Sequence, residues 1–425
     1  MSNFNLTDQT NLFKINYYKK SENMYNSENV LQGRIRKKHD FTGKQKFVST
    51  PLSFSGGVGS GSLPVANSGT YEGAVITAKR VYARAEIERE AIQASANSAG
   101  AFVQATRETV QKAVESYMRN SSRILFGDGS GILGRGDGST APTGAGSIAS
   151  PYIVTIASGT GLGAFKEANW EEKDFVQYVS GMNAGDNLGG AAEGGAAVTN
   201  LLEIVEVNVS AGTVSLVGTS AALAALVAGP TAIPTTSGFA MQRSYLLEPV
   251  GLDGVINKSS GSIYNISVQR RWSSRLTDAG GKGVTVDLLN GEMLAIEKKF
   301  GKVPKMIMAS YAQFRNILAL LEDQKVYNLP NRNLKGSLSF QGVEFMSTRG
   351  PVGVFVDRFC EDDRIYMLND DFIECHHRPG FGWFDDDGTV FMRKADEDNY
   401  EARYGGYYEN FITPTAHGLL KNLAV

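Results

Sequence analysis

The stretch from Ser98 to Phe126, SAGAFVQATRETVQKAVESYMRNSSRILF, restricts what this chain can fold into more than any other. Val103, Val110, Tyr117 and Ile124 recur every seventh residue, and Thr106, Ala113 and Val114 fill the positions between them. That spacing lays an apolar stripe along one side of a helix. Charge lies on the other side: Glu108 precedes Lys112, and Glu115 precedes Arg119, by four residues, the order that supports a helix. Gly127 follows as the natural stop. At about 1.5 Å per residue the helix spans roughly 40 Å, long for a globular protein. The other elements are expected to lie on it as on a backbone.

A length of 425 residues allows two or three domains, and 42% hydrophobic residues are enough for a substantial core. The formal charge of −2 gives no global field towards nucleic acid or membrane. Two cysteines, Cys360 and Cys375, suit a reducing compartment and read as small buried residues. The N-terminus has no apolar signal core, and the longest apolar run, Ala221 to Gly229, is too short to cross a bilayer, so a soluble protein with no membrane partner is expected. Glycine, at 48 residues, is in excess, which suggests extended loops and close backbone contacts.

The first 46 residues lack sustained periodicity and read as an arm. Lys14, Lys19, Lys20, Arg34, Arg36, Lys37, Lys38, Lys44 and Lys46 stand against Asp8, Glu22, Glu28 and Asp40, nine to four, for a local charge of +5. Nucleic acid is one partner for such an arm; a solvated arm packing on a neighbouring subunit is the other reading, because basic and aromatic residues do not alternate as in a stacking platform. Lys46 to Phe54 can be extended, Ser55 to Ser62 is a Gly-rich tip, and Thr70 to Ile87 is a second extended run. In that run Val75, Thr77, Val81, Ala83, Ala85 and Ile87 share one face. A long hairpin of this kind is marginal alone and needs another surface, expected to belong to another copy of the chain, with packing on its own domain as the other reading.

The run TYEGAVITAKRVYARAEIEREAIQASANSAGAFVQ, Thr70 to Gln104, continuing through the helix into FGDGSGILG, Phe126 to Gly134, resembles the major capsid proteins of tailed bacteriophages, the Hong Kong 97 type fold. In that family an N-terminal arm and an extended loop precede a long spine helix, and a peripheral and an axial domain follow. LLEPVGLDGVI, Leu246 to Ile256, resembles the segment leading into the axial domain, GPVGVFVDRFCEDDRIYMLN, Gly350 to Asn369, its strand-turn-strand end, and YEARYGGYYENF, Tyr400 to Phe411, the closing strand of the peripheral domain.

Between them, 142–245 shifts in composition. No charge occurs from Ala141 to Phe165 or from Val207 to Gln242, and Tyr152 to Ile156, Asp174 to Val179, Leu201 to Val209 and Thr213 to Val217 are short β-branched runs. A small β-barrel or sandwich inserted in the main fold is expected, facing a particle's exterior if the resemblance holds. Ala221 to Val227 reads as a short core helix or strand. Further on, Thr285 to Phe300 reads as a helix with Leu289, Met293, Ile296 and Phe300 on one face, Lys305 to Ala309 as a strand, and Tyr311 to Leu321 as a helix behind a capping box of Ser310 and Gln313. A hairpin Ser337 to Ser347 and strands Val352 to Phe359 and Arg364 to Leu368 follow.

Chemistry is harder to place. Gly129, Gly131 and Gly134 satisfy GxGxxG, but a dinucleotide site needs that motif between a strand and a helix, and here it follows a helix. The simple reading is a turn. Arg135, Gly136 and Asp137 spell an adhesion tripeptide that short motifs produce by chance. Of the four histidines, His39, His376, His377 and His417, two adjoin Cys375, but consecutive strand residues point to opposite faces and make a poor tetrahedral site. Glu361 to Asp363, Asp370 to Asp371, Asp385 to Asp387 and Asp396 to Asp398 lack the alternation of a calcium loop and read as solvated turns. No catalytic, cofactor-binding or metal residue is assigned, and no cofactor is expected. Some relatives cross-link their loops from lysine to asparagine; here only Lys46 and Lys79 flank the tip, and that chemistry is not carried over.

The expected fold is α+β: an N-terminal arm (1–46), an extended loop (47–88), the spine helix and Gly-rich turn of the peripheral domain (89–141), the inserted β-rich domain (142–245), a return to the main body (246–284), the axial domain (285–370) and closing strands of the peripheral domain (371–425). The resemblance implies a non-enzymatic major capsid protein of the virion, assembled in the host cytoplasm. Its copies would form pentamers and hexamers of an icosahedral shell around double-stranded DNA, met without sequence preference. A portal and, since the sequence begins at Met1 with no sign of a cleaved segment, a separate scaffolding protein would be partners. A nanocompartment shell of the same fold and an α/β enzyme are the alternatives.

Overall fold

A computed structural model describes residues 30–53, 69–89, 99–159, 161, 163–181, 191–192, 201–323, 343–348, 350–379, 381–385, 388, 390–394 and 397–425. The loop tip Ser55 to Ser62, the arm lysines Lys14, Lys19 and Lys20, and most of the expected hairpin from Ser337 lie outside the described residues.

The long helix runs Ala99–Phe126. Val110, Ala113, Val114, Tyr117 and Ile124 of the expected stripe are buried, and from Ser121 to Phe126 every residue is buried. The helix therefore ends inside the protein. One of its two expected i, i+4 pairs is replaced: Glu115 accepts from Gln111 at 2.9 Å, and Arg119 reaches away to Glu171 at 2.5 Å and to Asp174; the side chain of Glu108, expected to pair with Lys112, lies outside the described residues. Tertiary partners outcompete a surface pair worth a few tenths of a kcal/mol.

The strand Asn399–Ile412 organises the first sheet. Lys79–Glu88 runs antiparallel along one side of it, from Asn399 opposite Glu88 to Tyr408 opposite Lys79. Phe391–Arg393, Gly382–Trp383 and Ile373–His377 follow one another along the other side, and Arg36–Lys38 adds in parallel outside Ile373–His377. Tyr404 and Tyr408 point into the core, where Tyr117 of the long helix meets the Tyr404 ring edge-on at 5.2 Å.

Gln45–Ser53 and Thr70–Thr77 form the hairpin. The second run is not one strand with one buried face. It breaks at Ala78, so Ala74 and Ile76 are buried before the break and Ala83 and Ala85 after it, while Val75 and Thr77 turn away from the core. Two different strands claim the two halves, and a one-residue slip reverses which side chains face the core. Leu52, Ala74 and Ile76 share a core with Tyr117 and Tyr408, so the base of the hairpin packs on its own chain.

The second sheet has the order Arg275–Asp278, Gly418–Lys421, Ile365–Leu368, Met306–Ala309, Gly350–Val356, Val343–Ser347. Alternation decides its packing. Ile307, Ala309, Ile365, Met367 and Leu420 face the helices Val286–Phe300 and Tyr311–Asp323, and Met306, Met308, Tyr366, Leu368 and Leu419 face the core of the long helix. Both faces are covered, which is why these strands read as unbroken apolar runs. The Thr285 side chain caps the first helix; Ser310 caps the second, but Gln313 reaches to the Asp362 and Ala424 carbonyls and leaves the capping box half made.

A third, antiparallel sheet runs Ile132–Arg135, Gly238–Met241, Phe175–Ser180, Leu202–Asn208, Thr213–Gly218, Tyr152–Thr155. A bridge from Gly136 to Ile156 brings its ends together into a barrel around Trp170, Tyr178, Phe239 and Leu223 of the helix Ala221–Ala228. The Gly-rich segment is thus more than a turn. Gly131, at φ 77°, reverses the chain, and Gly134 lies in a strand where a Cβ would come within 2.8 Å of Trp170. Glycines chosen for close packing hid the strand from propensity.

Candidate functional site

Pairing of Phe47 with Val75 and of Pro51 with Tyr71 sorts the hairpin's side chains. The inner face carries Leu52, Ala74 and Ile76, and the Val75 amide donates to the Tyr264 carbonyl at 2.9 Å. The outer face carries Phe47, Pro51 and Tyr71, with Phe47 and Tyr71 70% and 60% exposed. Phe47 lies over Gly73, whose Cβ position is 3.8 Å from the ring. Two aromatic rings held outward on a rigid ribbon are suited to burial against another surface.

The root of the hairpin is fixed by charge. Lys46 Nζ is 2.6 Å from Asp40, His376 Nδ1 is 2.9 Å from the same carboxylate, and His376 Nε2 is 3.3 Å from Glu374. Burial pushes the Asp40 carboxyl up, but the hydrogen bonds from Lys46 and His376 outweigh it and bring it to about 2. Arg36 pairs with Asp371 at 2.5 Å, Lys38 with Glu374 at 2.7 Å, and the Arg34 guanidinium lies 4.3 Å over the Phe355 ring. Four of the bases that made the arm a nucleic-acid candidate, Arg34, Arg36, Lys38 and Lys46, are therefore engaged with acids and a ring of the same chain.

A second polar cluster is buried where the end of the long helix, the barrel and the second sheet meet. Arg123 holds Glu248 through both terminal guanidinium nitrogens, Nη1 and Nη2, and Arg364 pairs with Asp253 and, at 3.1 Å, with Asp363. Lys166 of the barrel lies 3.6 Å from Glu361. Burial pushes the Asp253 carboxyl up while Arg364 opposes it. Glu361 and Asp363 are not the solvated turn expected from sequence: Asp363 is buried against Arg364, and the half-buried Glu361, through Lys166, ties the barrel to the second sheet. Nothing local marks such a pairing, because its members are far apart in the chain.

The remaining candidates separate. His377 stacks among Phe381, Tyr408 and His39, and burial pushes it down to about 3, as it does His417. Neither is a proton carrier near neutral pH. Burial pushes the Cys360 and Cys375 thiols up, away from nucleophilic character. Among the described residues, no group of three or more His, Cys, Asp or Glu side chains is placed to hold a metal ion, and no helix is long and apolar enough to cross a membrane. A cleft of about 810 Å³ between Arg119, Glu171, Tyr311 and Arg358 has cations and carboxylates interspersed, without a converging polar set.

The capsid asymmetric unit of cyanophage A-1(L) matches 94% of this chain over 93% of its own, at a TM-score of 0.50 and 12% identity. The fold is the Hong Kong 97 type capsid fold. In its terms Ala99–Phe126 is the spine helix, the hairpin is the extended loop, the first sheet is peripheral, the second axial, and the barrel is an insertion. The capsid of a native GTA particle (TM-score 0.44, 9% identity, 93% of this chain and 90% of that one) and the SrpI encapsulin of Synechococcus elongatus PCC 7942 (0.43, 9%, 92% and 85%) are also similar. No family model and no curated protein matches the sequence.

Proposed function

We propose that this chain is the major subunit of a phage capsid, with pentamers and hexamers closing into an icosahedral shell around double-stranded DNA. The observation that carries the reading is the capsid fold spanning 94% of the chain. The outward pair Phe47 and Tyr71 supports it, since an extended loop that buries aromatics on a neighbour repeats one contact around every ring. Many weak contacts in a closed shell stabilise one another through effective concentration. A scaffolding protein and a portal are the further partners of this reading, and the host cytoplasm is the place of assembly. The role is structural, not catalytic.

Electron micrographs of particles purified after expression with candidate scaffolds test it. Closed shells with fivefold vertices that take up nuclease-protected DNA are the expected result. Shells filled with a protein cargo would favour a nanocompartment, and the absence of shells under every condition would contradict both.

A further inference from the structure

Arg36, Lys38 and Lys46 of the arm pair with carboxylates of the same chain, whereas one cluster of positive charge elsewhere is not offset in this way. Gln269 and Trp272 close a two-residue turn, with the Trp272 amide donating to the Gln269 carbonyl at 2.8 Å, and Arg270 and Arg271 stand exposed at its corner. The turn is a rigid mount. Trp272 is fully buried and donates its indole N–H to the Ile263 carbonyl at 3.2 Å, and the Thr415 hydroxyl donates to the Arg271 carbonyl at 3.3 Å. Among the described residues, neither arginine has a carboxylate within ion-pair distance.

Two more cations stand beside the turn. Lys299, in the last turn of Val286–Phe300, donates to the Ser273 carbonyl, the Ser273 hydroxyl and the Ser274 carbonyl at 2.9, 3.0 and 3.0 Å, which uses all three of its protons. It is held in place as a fixed charge. Arg275 touches Glu292 through Nε at 3.4 Å and is 43% exposed at its side chain. Glu292 is buried, accepts from the Thr277 hydroxyl at 2.7 Å and lies against Arg275, so its one carboxylate stands beside several cations and reaches neither Arg270 nor Arg271. Burial, with Arg275 and Arg270 nearby, pushes the Lys299 ammonium down. Like charges kept together at this cost are stabilised by an anion from outside.

We propose that the Arg270–Arg271 turn, with Arg275 and the fixed charge of Lys299 behind it, is a docking site for the phosphodiester backbone of double-stranded nucleic acid. Guanidinium forks match phosphate oxygens two at a time, which ammonium groups do not. The corner presents no aromatic ring, so it offers no stacking platform for single strands. Contacts to phosphate carry no base identity, so binding is without sequence preference and dependent on salt. The proposal rests on the reading of a DNA-enclosing shell and gives it a specific surface.

Titration of the soluble full-length chain with a labelled random-sequence DNA duplex across a range of sodium chloride concentrations tests it. Arg270→Ala/Arg271→Ala is expected to weaken binding at least about tenfold at low salt and to reduce the slope of log K against log salt by about 2, close to one per lost phosphate contact. Arg315→Ala, on the exposed face of Tyr311–Asp323, is expected to leave both unchanged. Duplex binding unaltered in strength and slope by the double variant, no duplex binding by the full chain at low salt, or equal binding of polyglutamate would each overturn the proposal. Shells that form while the duplex result is negative would leave the capsid reading standing, and failure to form shells would count against that reading alone.

Discussion

His377 sits between Phe381, Tyr408 and His39 with no hydrogen bond to either ring nitrogen. Its folded value of about 3 lies below the ordinary 6.5, so between those values the unfolded chain binds the extra proton. Its contribution to stability is complete above pH 6.5 and falls as pH drops towards 3. His377→Phe keeps the ring and removes the titration. Urea midpoints at pH 7 and pH 5 are expected to show the variant losing less on acidification than the parent, by up to about 2 kcal/mol; parallel losses would contradict this. The buried pair Arg123 and Glu248 gives a second test. Arg123→Met alone is expected to cost about 3–5 kcal/mol by stranding the carboxylate, and adding Glu248→Leu to restore most of that, measured by denaturant unfolding of the soluble subunit.

At the scale of elements, Asn399–Ile412 lies inside the peripheral sheet and Gly418–Lys421 inside the axial sheet. Deleting 399–425 is therefore expected to abolish folding, read as loss of soluble protein and of the thermal transition. Several elements were legible in sequence: the spine helix, the helix behind Thr285, and four of the barrel strands. Where two partners divide a run, as at Ala78, parity changes without any local signal. The strand Ile132–Arg135 escaped because glycines selected for contact with Trp170 look like turn residues. The junction of Arg123, Glu248, Asp253, Arg364 and Glu361 escaped for another reason: each charge is ordinary in its own stretch, and only the fold brings them together. The arm's positive charge was legible, but its partners Asp371 and Glu374 were not.

For the molecule as a whole, the proposed function gives folding and assembly to opposite faces of one ribbon. The inner face of the extended loop, Leu52, Ala74 and Ile76, belongs to the subunit's own core, and the exposed outer face, Phe47 and Tyr71, is the one the proposed assembly would bury on a neighbour. Phe47→Glu/Tyr71→Glu should then change subunit stability by no more than about 0.5 kcal/mol while preventing growth beyond small species. The most direct measurement is sedimentation of the concentrated full-length chain beside this double variant, with negative-stain images of whatever sediments. The account predicts rings of five or six copies or megadalton shells for the parent, and only folded single subunits for the variant. A parent that stays a monomer with scaffold present, or a variant that assembles as the parent does, would contradict it.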